Sequence, residues 1–168
     1  RPCRSKGTAQ VDVLRSGVDV SSVHVDLLYG KPASDFNPDL TRKYGTNRLS
    51  VMEEVWIDDD SRIDLVLFVN GVAWAAIELK YGPEGSTWRD AVYQWTYERD
   101  HKNRLVEFQV GTIINFAMDE AECHMATTLD GEATRFIPFN RGRGEGISQG
   151  KGNPEDDGSG DYPTHYVW

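Results

Sequence analysis

Three ionisable residues stand in otherwise apolar sequence. Asp64 lies near the start of the run Ile63–Val69, and Glu78 and Lys80 flank Leu79 at the end of the run that opens at Val72. Burying a charge is costly unless it is paired or coordinates a metal, so three such groups at the ends of neighbouring strands call for a common explanation. Residues 78 and 80 are two apart and share one face of a strand. If Asp64 joins them, two carboxylates on adjacent strands form a hard-oxygen site suited to Mg²⁺ or Mn²⁺. A metal there lowers the pKa of a bound water and neutralises charge at a phosphoryl centre. Lys80, beside Glu78, is placed to orient that water or to stabilise a pentacovalent phosphorus. The chemistry of such a set is phosphodiester hydrolysis. The plainer reading is a buried ion-pair cluster without chemistry, since Glu-x-Lys by itself is a common pattern.

The elements that must position these groups are legible around them. Asn70-Gly71 joins the two apolar runs and is a strong hairpin signal. With a regular two-residue turn, 69 pairs with 72, 64 stands opposite 77, and Asp64 points away from Glu78. An odd loop or a bulge instead brings 64 level with 78. Both runs are apolar enough for central strands of a sheet covered by helices. After the Gly82-Pro83 break, Trp88, Ala91, Val92 and Trp95 recur at helical spacing and predict a helix from about Thr87 to Asp100. Its opposite face carries Asp90, Gln94, Tyr97 and His101. Gln94 is an amide able to bridge a phosphate or a metal-bound water. Asp90 and His101 read as solvated; Lys102 and Arg104 beyond them are placed to reach a backbone phosphate, although solvation is the plainer reading.

Upstream, the spacing predicts a helix ending near Leu14 and stopped at Gly17, a strand over Val23–Leu28, a loop over 32–47, and a strand over Leu49–Ile57 entering the turn Asp58-Asp59-Asp60. Downstream, Phe108–Phe116, Cys123–Thr128 and Arg135–Phe139 read as strands, the last two around the Asp130-Gly131 turn. Strands, a helix, then more strands indicate an α/β or α+β fold with a mixed sheet flanked by helices. Residues 1–140 form the expected domain. Seven of the 21 residues from Arg141 to Asp161 are Gly, so 141–168 reads as a Gly-rich excursion and the start of a connection. Gly144–Lys151 imitates a phosphate loop, but its spacing is wrong and Gly152 replaces the metal-binding Ser or Thr.

The chain has 168 residues, 39% hydrophobic and 11% aromatic, with a net charge of -9. No apolar run reaches membrane-spanning length. Residues 51–140 carry 7 basic against 17 acidic groups, which argues against tight autonomous binding of nucleic acid. Cys3 and Cys123 are too few for a disulfide framework and suit a reducing compartment, the cytoplasm. His24, His124 and His165 have no metal-ligand spacing, and Cys123 beside His124 reads as strand filler.

Asn47-Arg48-Leu49-Ser50-Val51, the run Arg62 to Gly71, Ile77-Glu78-Leu79-Lys80 and Gln94 resemble the N-terminal nuclease domain of the type I restriction enzyme R subunit (HsdR), of the PD-(D/E)XK nuclease superfamily. Arg135 to Gly142, Gly152-Asn153-Pro154 and Thr164 to Trp168 resemble the same family's run toward its motor domains. The resemblance implies a restriction-endonuclease-like fold and a Mg²⁺ or Mn²⁺ site made by Asp64, Glu78 and the main-chain carbonyl of Leu79. It implies Lys80 as the catalytic lysine and Gln94 as the Gln of a Q-x-x-x-Y motif. It further implies double-stranded DNA as substrate, methyltransferase and specificity subunits as partners, a cytoplasmic setting in a bacterium or archaeon, and an ATP-driven translocase downstream of Trp168. Cleavage would then follow translocation and give double-strand breaks. Two departures stand out: Ile63 precedes Asp64 where the motif has Pro, and Glu98 stands where it has Tyr, with Tyr97 one residue early. Neither Glu53 nor Glu54 is assigned as a replacement for an acidic residue from a preceding helix. Two other readings remain, a repair or resolvase-type nuclease of the same superfamily and a catalytically silent docking module of the restriction complex.

Overall fold

A computed structural model of the chain describes residues 9–34, 36–81, 85–120 and 122–139. The Gly-rich segment 141–168, Cys3 and the Gly82-Pro83 break lie outside the described residues. In order, the elements are α1 (Gln10–Ser16), β1 (Val18–Val20), β2 (Val23–Val25), α2 (Pro38–Tyr44), β3 (Leu49–Trp56), β4 (Arg62–Val69), β5 (Val72–Leu79), α3 (Trp88–Tyr93), a π-helical segment (Gln94–Glu98), β6 (Ile114–Met118), β7 (Cys123–Ala126) and β8 (Ile137–Pro138). Strands β3 to β8 form one mixed sheet in chain order, and β1 and β2 form a separate exposed hairpin. Only β5 and β6 run parallel, so the chain must cross over between them, and α3 with its π-helical continuation makes that crossover. The result is an α+β fold.

The core lies on both faces of the sheet. On one, Val66, Ala76 and Ala117 meet Ala91 and Trp95 of the crossover helix, in a cluster that Ile63 also joins. On the other, Ala75, Ile77, Phe116 and Cys123 cluster. Trp95 is fully buried, and its indole N–H donates to the Phe116 carbonyl at 2.8 Å. A buried Trp satisfied in this way pins the helix to the middle of the sheet.

The β4–β5 hairpin carries the geometry that matters for the site. Asn70 and Gly71 have φ of 50° and 80°, and Val69 pairs with Val72. That is the two-residue turn with both central residues left-handed, which suits the strand twist. The register then shifts: Phe68 faces Ala73, but Leu67 faces Ala75, leaving Trp74 as the extra residue of a β-bulge. Beyond the bulge Leu65 faces Ile77, which brings Asp64 level with Glu78. The turn is thus regular, and the bulge supplies the odd residue that the shared site requires. Asn70 also locks the turn in place. Its Oδ1 accepts from the Arg48 N–H at 2.7 Å, and its Nδ2 donates to the Leu27 carbonyl at 2.8 Å and to Asn47 Oδ1 at 3.0 Å.

Four expectations need correction. The loop expected over 32–47 contains α2, capped by the Asn37 side chain and opened by Pro38, a favoured first helical residue. The strand expected over Val23–Leu28 stops at Val25 and pairs with β1. The helix expected over Thr87–Asp100 is α-helical only to Tyr93, then widens. The strand expected over Phe108–Phe116 begins at Ile114, because residues 103–112 close a series of turns, with Val106 and Glu107 N–H bonded to the Asn103 carbonyl and Thr112 N–H to that of Leu105. Gly111 packs so closely there that a Cβ would lie 2.1 Å from the Leu105 carbonyl oxygen.

Candidate functional site

Asp64, Glu78 and Lys80 meet where the first residues of β4 lie beside the last of β5. Asp64 Oδ2 accepts from the Leu79 N–H at 2.7 Å. The ladder between β3 and β4 pairs Glu53 with Leu65 and Val55 with Ile63, but skips the position of Glu54 and Asp64. Glu54 adopts φ of 51° there, and its carboxylate turns outward to Arg62 at 2.7 Å. Left-handed backbone in a non-glycine residue is strained, and here it falls directly opposite Asp64. In an extended strand the N–H and C=O of one residue point to the same edge. The Leu79 carbonyl therefore emerges on the edge that also carries Asp64.

Glu78 has only 1% of its surface exposed. Its Oε1 accepts from Arg99 Nε at 2.7 Å and lies 2.7 Å from Nη2 as well. Arg99 is in turn anchored, Nη1 donating to Ser61 Oγ at 2.8 Å and Nη2 to the Arg62 carbonyl at 2.9 Å. Glu78 Oε2 is buried without a hydrogen-bond partner, and so is Oε1 of Gln94. Burial pushes the Glu78 carboxyl up to about 7, with Asp64 adding to the rise and Arg99 and Lys80 opposing it.

Lys80 is half-buried, and its main-chain N–H donates to the Met118 carbonyl at 2.8 Å, extending the parallel pairing past Leu79. Its ammonium lies within electrostatic reach of Glu78 and Asp90, and among the described residues it enters no salt bridge. Gln94 is half-buried at the junction of α3 with the π-helical segment.

The remaining polar residues of that helix are structural. Asp90 closes a capping box with Thr87, accepting the Thr87 N–H at 2.7 Å, and this bond holds its carboxyl below the usual range. His101 is not solvated as expected. The Gly131 N–H donates to its Nδ1 at 3.0 Å, so Nε2 carries the proton and donates to the Trp95 carbonyl at 2.7 Å. That carbonyl lies in the π-helical turn, so the histidine ties the turn to the Asp130-Gly131 loop. Tyr97 is exposed and packs its ring on Tyr93 at 4.8 Å, while Lys102 and Arg104 face solvent. His124 stacks on Trp88 and bonds Glu122 at 2.8 Å, and burial pushes the Cys123 thiol up to about 12, which suits filler rather than a nucleophile.

Arg99 is the site residue that periodicity missed. On an α-helix it lies well off the face of Gln94, but the π-helical turn closes with the Arg99 N–H on the Gln94 carbonyl at 3.0 Å and brings residue 99 over residue 94. In sequence, Glu98-Arg99-Asp100 reads only as a solvated charged end.

Among the described residues no group of three or more His, Cys, Asp or Glu side chains is disposed to hold a metal. The donor set is instead two carboxylates, one oxygen of which is buried and unpartnered, with a main-chain carbonyl on the same edge. Such a set fits Mg²⁺, which takes one or two carboxylates and completes its shell with water and substrate phosphate.

The family described as type I restriction enzyme R protein N terminus matches residues 8–145. The chain belongs to this family. No curated protein and no solved structure matches it significantly. As an N-terminal domain of a type I restriction enzyme R subunit, the chain carries its entire six-stranded sheet and all of Asp64, Glu78, Leu79, Lys80, Gln94 and Arg99 within the matched span. Membership implies a part in a restriction–modification complex that acts on DNA. No helix among the described residues is long and apolar enough to cross a membrane.

Proposed function

We propose that this domain is the nuclease of its restriction complex, a Mg²⁺-dependent or Mn²⁺-dependent endonuclease that hydrolyses phosphodiesters of double-stranded DNA in the cytoplasm. One observation carries the reading. Among the described residues only two buried side-chain atoms lack a hydrogen-bond partner, Glu78 Oε2 and Gln94 Oε1. Native interiors satisfy nearly all such atoms, and an exception points to an ion, a water or a catalytic role. Both exceptions are acceptors, and both belong to the four residues that the sequence assigns to catalysis. A structural ion pair with Arg99 accounts for Oε1 of Glu78 but leaves Oε2 without a purpose.

Asp64 and Glu78, with the Leu79 carbonyl, would hold the metal. When bound, the metal supplies an acidified water and charge neutralisation at the phosphorus. The chain's own residues do the rest. Asp64 is held on the Leu79 N–H, so its second oxygen stays directed by the strand rather than by a flexible side chain. Lys80, half-buried and in no salt bridge among the described residues, offers a cation for the charge that builds on the phosphoryl oxygens. Gln94 offers its amide to orient a water or a phosphate oxygen. Delivery of the duplex falls to ATP-driven translocation by motor domains of the R subunit, with methyltransferase and specificity subunits choosing the site. The test is Lys80→Ala in the whole R subunit, assembled with its partner subunits on a plasmid. Cleavage should fall by about 10²-fold or more, as for loss of an electrostatic stabiliser, with ATP-driven translocation retained. Undiminished cleavage refutes the proposal.

A further inference from the structure

Resting on that reading, we propose that Arg99 is the positioning residue of the metal site: it holds one oxygen of Glu78 and thereby presents the other to a divalent cation. The pairing geometry carries the argument. When a guanidinium only neutralises a carboxylate, the favoured arrangement is the fork, one N–H to each oxygen. Here Nε and Nη2 both lie 2.7 Å from the same oxygen, Oε1. The other oxygen is left buried with no partner, a state that is costly unless a cation or a donor completes it. The guanidinium is held back from a fork, because Nη1 donates to Ser61 Oγ and Nη2 to the Arg62 carbonyl, at 2.8 and 2.9 Å. Arg62 opens β4 and Ser61 immediately precedes it, two and three residues before Asp64. Arg99 thus fixes Glu78 relative to the strand that bears the other carboxylate. A lysine cannot do this, since its ammonium lacks the planar set of donors. With 8% of its side chain exposed, Arg99 is shielded from solvent and acts through Glu78.

The experiment measures Mn²⁺ binding by the 168-residue chain from the paramagnetic resonance of free Mn²⁺, with thermal unfolding in chelator recorded for each variant. Arg99→Ala should weaken binding by about 10–100-fold, the usual effect of losing a residue that orients a metal ligand. Arg99→Lys should also weaken it although it keeps the charge, and Ser61→Ala should weaken it by a smaller factor. Millimolar guanidinium should restore binding to Arg99→Ala where potassium chloride of equal ionic strength does not, a rescue that a merely structural role does not produce. Unchanged binding in folded Arg99→Ala overturns the inference, as does tighter binding, the result expected of a guanidinium that only repels the cation. If Arg99→Ala does not fold, Arg99→Lys and Ser61→Ala decide by the same criteria. Absence of Mn²⁺ binding by the unaltered chain overturns the metal site itself and this inference with it. Binding that Asp64→Asn abolishes but Arg99→Lys and Arg99→Ala leave intact overturns the positioning role alone.

Discussion

Glu78 should make this domain less stable as pH rises through neutrality. Its carboxyl is pushed up to about 7 in the folded chain from an ordinary value of 4.5. A folded state that holds a proton more tightly than the unfolded state is stabilised where that proton is bound. The contribution is fully present below about 4.5, declines as pH rises, and is lost once pH passes about 7. At about 1.4 kcal/mol per pH unit, the interval between those two values is worth about 3 kcal/mol. That is a large part of the 5–15 kcal/mol, roughly, that holds a domain together. The assay is urea unfolding at intervals from pH 4 to 8 in chelator, on the chain and on Glu78→Gln, which keeps the side-chain shape but cannot titrate. All other carboxyls are common to the two, so the difference between their stabilities isolates residue 78. The unaltered chain should lose about 3 kcal/mol relative to Glu78→Gln across the window. A difference that stays flat from pH 4.5 to 7, or that grows in favour of the unaltered chain, refutes the account of a desolvated carboxylate with one oxygen unsatisfied. Adding Mg²⁺ or Mn²⁺ at pH 8 should recover stability in the unaltered chain only, since a ligand that binds the native state alone stabilises by mass action.

Three further outcomes follow from the same residues. His101→Phe leaves the Trp95 carbonyl and the Gly131 N–H without their shared partner and should cost about 1–3 kcal/mol in urea unfolding; a loss within experimental error would mean that the π-helical turn does not depend on it. Thr87→Ala removes one half of the capping box of α3 and should cost about 1 kcal/mol, with Mn²⁺ affinity unaltered; a loss of affinity would tie the cap to the site. The chain, with 7 basic against 17 acidic groups over 51–140, should bind a DNA duplex no more tightly than about 10⁻⁶ M at physiological salt, and nanomolar binding in a titration of labelled duplex would contradict the view that other parts of the complex deliver the DNA.

Much of the site was legible in the chain itself. Local alternation and the Asn70-Gly71 signal placed β4 and β5, and the cost of burying charge singled out Asp64, Glu78 and Lys80. These inferences rest on short-range rules: period two in strands, left-handed residues in a tight turn, and desolvation of ions. The helix boundary at Thr87 and the apolar face Ala91–Trp95 were legible for the same reason. So was the stop of α1 at Gly17, whose φ of 69° suits glycine.

What only the tertiary structure decided is how those pieces are phased. Trp74 reads as an ordinary strand residue, yet it is the bulge that brings Asp64 level with Glu78. Without it the regular turn would send the two carboxylates to opposite faces. Whether a strand absorbs one extra residue depends on how its whole length packs, and no local pattern encodes that. The π-helical turn is of the same kind: periodicity assumes 3.6 residues per turn, so it set Arg99 off the face of Gln94. The wider turn, held by the bond from His101 to the Trp95 carbonyl, returns Arg99 to Glu78. Residue types thus determined which groups the site contains, while one inserted residue in a strand and one widened turn in a helix determined that they meet, because register is a property of long-range packing rather than of neighbours in sequence.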